Sequence, residues 1–223
     1  MKKYVKGQYK DYVKYVSGIF SLGGLSECGK SSAGNHFEKL GILKMKIIHI
    51  EKEMMVDRGF DLSNGMKDEH FIMLYAENQE LVFEEFLFRL IIKMHEMRKK
   101  YCSIESLYRA PLGKFLKKAL GNRMVNIYID APVEVRATRE MVKINDKKNE
   151  LELPNLTLDE VINIVNEKDL FKVRHKATDV KEISDYIIYN DESLTYENFL
   201  KTIENIAKSL GVKITNNEKK TDL

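Results

Sequence analysis

The chain has 223 residues, 43% hydrophobic and 32% charged, which is ordinary for a soluble protein and long enough for one α/β domain with a sizeable core. Its formal charge of +3 is too small to argue for a nucleic-acid partner, and no apolar run approaches the ~18 residues of a membrane-spanning helix, so neither nucleic acid nor membrane is expected as a partner. Two cysteines, Cys28 and Cys102, provide no disulfide framework and no zinc spacing, and the five histidines are scattered, so a reducing cytoplasm is the expected location.

Residues 1–15 are basic and tyrosine-rich and lack the apolar region of a signal peptide; a short solvated arm or helix is expected there. Val16 to Leu22 reads as a short buried strand. Gly24-Leu25-Ser26-Glu27-Cys28-Gly29-Lys30-Ser31 follows it and fits the phosphate-loop pattern G-x-x-x-x-G-K-[ST] at every fixed position. A helix over Ser31 to Leu40 completes the order strand, glycine loop, helix. Lys44 to Ile50 reads as a second strand. Phe71 to Lys100 carries apolar residues at helical spacing, with a break near Asn78. Tyr101 to Leu107 reads as a third strand and Pro111 to Leu120 as a short helix closed by Gly121. Met124 to Asp130 is the clearest strand, and Pro132 opens the next helix, where its missing N–H costs nothing. Residues 144–182 are highly charged apart from a helical stretch at Leu158 to Val165, and form an expected lid. Tyr186 to Tyr189 is a fifth strand, Tyr196 to Leu210 a helix stopped by Gly211, and the tail from Thr215 is polar. Strands alternating with helices imply an α/β sandwich around a parallel sheet. The expected single domain has a core at about 16–143 and 183–212, a lid at about 144–182 and an acceptor-binding helical region at about 51–100.

Ligands in such sheets sit beyond the carboxyl ends of the strands, so the residues there are the candidates. In the loop, glycines let the backbone approach a phosphate, and successive N–H groups with the following helix N-terminus cradle it. Nucleotide contacts are expected from Gly24, Leu25, Ser26, Glu27, Cys28, Gly29, Lys30, Ser31 and Ser32. Lys30 can reach the β- and γ-phosphates, and Ser31 can sit on a Mg²⁺ ion. Cys28 reads as a small filler. Glu105 is either a carboxylate that holds the Mg²⁺ shell or an exposed strand-end acid. Glu51 is either an orienter or base for an acceptor hydroxyl or a helix-start acid favoured by the dipole. Arg136, Arg139 and Lys143 share one helix face at i, i+3 and i+7, either facing the site or solvated. Arg109 and Arg58 are candidates to grip an acceptor, and Arg139 with Arg174 to close over the phosphates.

Three stretches besides the loop carry a resemblance to a known family. They are Ile104-Glu105-Ser106-Leu107-Tyr108-Arg109, the strand Asn126 to Pro132 with the helix Val133 to Arg139, and Ser184 to Asp191. Together they resemble the nucleoside monophosphate kinase-like P-loop kinases, with the nearest look toward dephospho-coenzyme A kinase and the adenylate kinase-related proteins. The resemblance implies a three-layer sandwich with a five-stranded parallel sheet in the order 2-3-1-4-5, Mg²⁺ and ATP as cofactors, and γ-phosphoryl transfer to a small, nucleotide-like acceptor. It also implies that Asn190 lies near the nucleotide base. In dephospho-coenzyme A kinase the second strand ends in two aspartates around one residue; here His49 and Glu51 hold those places. Two further function classes stand beside the kinase: a nucleotide-binding regulatory module, and a kinase-fold binding protein with little turnover. No N-K-x-D or T-K-x-D stretch supports a GTPase.

Overall fold

In the computed structural model, residues 4–76, 78–151 and 156–214 are described, the side chains of 147–151 excepted. Five strands form one parallel sheet in the order β2-β3-β1-β4-β5, as expected. They are β1 (Gly18–Gly23), β2 (Leu43–Lys46), β3 (Tyr101–Leu107), β4 (Met124–Asp130) and β5 (Tyr186–Tyr189). Successive side chains of a strand point to opposite faces, and both faces of this sheet are covered, so β1 is buried throughout. On one face Phe20, Leu22, Ile127 and Ile129 pack against Phe37 of α1 (Lys30–Lys39) and Phe199 and Ile203 of α8 (Tyr196–Ser209). On the other face Ile19, Ile104 and Met124 pack with α2 (Ile47–Asp57), α4 (Gln79–Glu96) and α5 (Ala110–Leu120). A third, small cluster of Ala137, Val161 and Val165 joins α6 (Val133–Leu151) to α7 (Leu158–Arg174) as a helical hairpin.

The expected break at Asn78 separates α3 (Asp68–Ala76) from α4, and the Asn78 side chain accepts the Leu81 N–H at 3.0 Å as an N-cap. Four expectations need correction. The second strand stops at Lys46, because Ile47, Ile50 and Met54 are buried at helical spacing and the segment coils into α2. Glu51 therefore sits in a helix and not at a strand end. Pro132 precedes α6 and contributes its carbonyl to the Arg136 N–H, a helix cap position and not the first turn. α7 runs nine residues past the stretch ending at Val165. The N-terminal arm is not simply solvated: Tyr9 is buried with its ring 5.9 Å from that of Phe115, and Arg123 holds the Val13 carbonyl at 2.6 Å. The side chains of Lys147 and Lys148, in the segment expected to be a lid, and the tail from Thr215 lie outside the described residues.

Candidate active site

The loop between β1 and α1 carries φ values of 125° at Gly24, 59° at Glu27 and 115° at Gly29, the left-handed turns that bend its N–H groups inward. Gly29 is also required by packing. A Cβ there would meet Asn190 Nδ2 at 2.6 Å, and that amide donates to the Cys28 carbonyl at 2.8 Å. The loop opens on a cavity of about 310 Å³ at the carboxyl end of the sheet. Ser26, Glu27, Gly29, Lys30, Ser31 and Ser32 form its floor, and Ser106, Arg139, Lys143 and Lys172 its walls.

Lys30 is only 7% exposed, and its ammonium folds back onto the Leu25 carbonyl, 3.4 Å from Cys28 Sγ. Cys28 is buried and packs within the core against α1, the place of a filler. Lys172, on α7, donates to Ser26 Oγ at 2.6 Å. Burial, and next the Lys30 ammonium, push its pKa down to about 8.

The cationic face of α6 is turned toward the loop. Arg136 donates to the Ser26 carbonyl at 3.1 Å and to Asp169 of α7 at 2.5 Å. Asp169 in turn accepts the Ser26 N–H at 2.7 Å. Arg139 reaches the carbonyls of Glu27 (3.3 Å), Cys28 (3.4 Å) and Asn190 (3.0 Å), and Lys143 pairs with the Glu27 carboxylate. These groups hold the loop. Arg136 is buried and does not line the cavity, whereas Arg139 and Lys143 do. Asn190 is placed against the loop backbone at Cys28 and Gly29.

Glu105 is buried, not an exposed strand-end acid. It abuts Gly34 of α1, so closely that a Cβ at Gly34 would collide with its Oε1. That oxygen has no hydrogen-bond partner among the described residues; Lys44 Nζ stands 3.4 Å away without hydrogen-bond alignment. The next residue, Ser106, has φ 67° at a register shift of β1 on β3, and it faces the cavity.

Three expected site residues lie elsewhere. Glu51 is fully buried and absent from the cavity wall; Tyr75 and Tyr108 donate to its Oε1 at 2.5 and 2.6 Å. Desolvation raises its pKa against those two hydrogen bonds. Arg174 is mostly exposed and paired with Asp68 of α3, and Arg58 is engaged by Glu85 at 2.6 Å. The α7 residue over the loop is therefore Lys172, not Arg174.

Arg109 stacks 4.1 Å above the Tyr75 ring and donates to His175 Nδ1 at 3.0 Å, leaving His175 Nε2 to donate to Asp68 at 3.0 Å. Arg109, Lys114, Arg174, His175 and Lys176 line a second cavity, of about 370 Å³, together with Asp179 and Glu182. Sequence reasoning missed Ser106, Asp169 and Lys172. A signal for the last two existed, since 161, 165, 169 and 172 fall on one helix face and the polar pair continues the stripe of Val161 and Val165.

No protein-family model matches the sequence, and no curated protein matches it. Among solved structures the chain is similar to an uncharacterized protein from Eubacterium ventriosum, at 14% identity over 88% of this chain and 99% of that one, with a TM-score of 0.52. It is also similar to TT1252 from Thermus thermophilus, at 13% identity over 86% and 97% of the two chains, with a TM-score of 0.50. A shikimate kinase from Acinetobacter baumannii in complex with shikimate aligns at 17% identity over 92% and 99%, with a TM-score of 0.42. At these identities the likeness is one of fold: a three-layer α/β sandwich on a five-stranded parallel sheet, with a phosphate loop after its central strand.

Proposed function

We propose that the protein is an ATP-dependent phosphotransferase that moves the γ-phosphoryl group to a small, nucleotide-like or nucleoside-containing acceptor. The observation that carries the reading is the cavity at the carboxyl end of the sheet that Lys30 and Lys172 line beside the loop between β1 and α1. A site with two ammonium groups, Arg139 and helix-start N–H groups fits a polyphosphate. Lys30 and the loop amides bind the β- and γ-phosphates, and Lys172 and Arg139 stabilise the charge of the transferred group. Ser31, which lines the cavity, fits the shell of a Mg²⁺ ion; Glu105 is absent from the cavity lining, and its Oε1, 3.4 Å from Lys44 Nζ and without a hydrogen bond, would join that shell through water. A Mg²⁺ ion held there would supply charge neutralisation for the transferred phosphoryl group. In this reading an anionic group of the acceptor binds at Arg109, supported by the excess of cations over acids lining the second cavity. Glu51 has no part in proton transfer in this reading; it ties α2 to α3 through Tyr75 and to the segment that follows β3 through Tyr108. Catalysis then rests on positioning and electrostatics.

The test is ATP consumption with Mg²⁺ against nucleoside monophosphates, nucleosides and dephospho-coenzyme A, with Lys30→Ala beside the wild type. At least one acceptor is expected to be phosphorylated by the wild type, and the variant to lose turnover by about a hundredfold or more. Retained turnover in Lys30→Ala, or no ATP binding by the wild type, would sink the reading. One observation favours a second reading, a nucleotide-binding regulatory protein with little turnover. The carboxylate nearest in sequence to the second-strand acid is sealed inside an aromatic shell. Binding of ATP with no turnover across the panel supports that reading.

A further inference from the structure

α7 and its C-cap residue His175 present three polar side chains one turn apart to three different places. Asp169 reaches the loop tip, Lys172 the phosphate cavity, and His175 the cavity at Arg109. Of these, Asp169 has the least expected position, a carboxylate against a loop built to bind anions. It is 4% exposed and accepts one N–H from the loop and one from Arg136, which is 5% exposed and itself donates to the Ser26 carbonyl. The Ser26 peptide is thus held on both its polar atoms by one buried ion pair. Its hydroxyl is held by Lys172.

We propose that Asp169 is the positioning residue of the phosphate loop. It consumes the Ser26 N–H, so that the loop tip is fixed and the phosphate is gripped by the amides that follow. It also fixes the rotation of α7 that aims Lys172 at Lys30. The inference rests on the polyphosphate reading of the cavity, and it assigns the loop's preorganisation to a helix far from it in sequence. A purely structural ion pair makes a different prediction. Replacing a buried pair by apolar residues of similar volume is commonly neutral or stabilising, whereas deleting one partner strands a buried charge. The two roles therefore separate in a variant that keeps the packing and removes the tether.

The experiment compares wild type, Asp169→Asn and the double variant Arg136→Met/Asp169→Leu by binding of a fluorescent ATP analogue with Mg²⁺ and by thermal unfolding. The double variant is expected to stay folded, its unfolding temperature lowered only modestly because the Ser26 N–H and carbonyl lose their partners, and to bind the nucleotide about tenfold or more weakly, because a misplaced loop loses aligned contacts. Asp169→Asn, which keeps an acceptor oxygen but not its charge, is expected to be weakened as well, and KM for ATP is expected to rise with the acceptor KM unchanged. Wild-type affinity in both folded variants overturns the proposal. Weakening in the double variant alone also overturns it, because the effect then belongs to Arg136. A wild type that binds no nucleotide overturns the polyphosphate reading itself, which is a separate outcome from either.

Discussion

Lys172 faces Lys30 across the phosphate cavity, and the remaining groups that bear on it are Asp169, Cys28 and Glu27. Asp169 is already engaged by Arg136 and the Ser26 N–H. Burial and Lys30 bring the Lys172 pKa down from its ordinary 10.5 to about 8. The sign of the consequence follows. Below pH 8 the ammonium is charged and attracts phosphate; as pH rises through 8 it loses its proton and the attraction with it. Bound phosphate raises the pKa again, so binding takes up a proton in that range. Affinity for ATP is expected to fall by about tenfold between pH 7 and pH 9, an order of magnitude set by one lost charge-assisted contact. In Lys172→Met the titration curve should be flat over the same range. A profile in Lys172→Met that keeps the wild-type slope assigns the titration to another group. Ser106 stores strain at the same cavity, since its φ of 67° costs a non-glycine residue about 1 kcal/mol or more. Ser106→Gly is expected to raise the unfolding temperature by about 2–4 °C. Ser106→Ala keeps the strain and should not. Equal melting of the two variants would show that the backbone there is unstrained.

Among the elements, α1 lies closest to the sheet where Gly34 meets Glu105. Gly34→Ala is expected to destabilise the protein by about 1–3 kcal/mol in denaturant unfolding, the usual cost of overpacking. Adding Glu105→Ala should recover part of that loss, because the two residues share one contact. Additive losses would mean that the helix shifts as a whole instead. The same elements explain what could be read from the chain. β3, β4 and β5 are continuous apolar or alternating runs bounded by charged or turn residues, and their limits coincide with the expected ones. β2 did not, because Ile47, Ile48 and Ile50 suit a strand by propensity while their burial follows the helical period. That one misplaced boundary carried Glu51 from the site into the core. The loop was legible because its chemistry is local to eight residues. Asp169 and Lys172 were not, because their roles depend on α7 folding back over a loop 143 to 146 positions away.

For the whole molecule, the question is how firmly the α6–α7 hairpin is attached. Its own core has three fully buried apolar residues, Ala137, Val161 and Val165, whereas the sheet is packed on both faces by two large clusters. Its contacts to the loop are polar: the Arg136–Asp169 pair, Lys172 on Ser26 and Lys143 on Glu27. Its apolar anchor to the main core is Phe171 of α7, whose ring lies 5.1 Å from that of Phe71 and 5.4 Å from that of Tyr108, so opening the hairpin undocks one aromatic side chain and should occur below the free energy of global unfolding. Amides of residues 158–174 are then expected to exchange faster than those of β1, β3 and β4. A bound triphosphate changes this balance, because it adds charge-assisted contacts to Lys172 and Arg139 that opening must break. At a hundredfold excess over its dissociation constant a ligand lost on opening adds about 2.7 kcal/mol, or about a hundredfold in protection. Amide hydrogen exchange with and without a non-hydrolysable ATP analogue and Mg²⁺ measures this directly. Protection should rise over residues 158–174 in the wild type by up to that factor, and should rise little in Lys30→Ala. Equal protection of the hairpin in the presence and absence of the analogue, with nucleotide binding verified in the same sample, would identify it as a fixed insertion and not a lid.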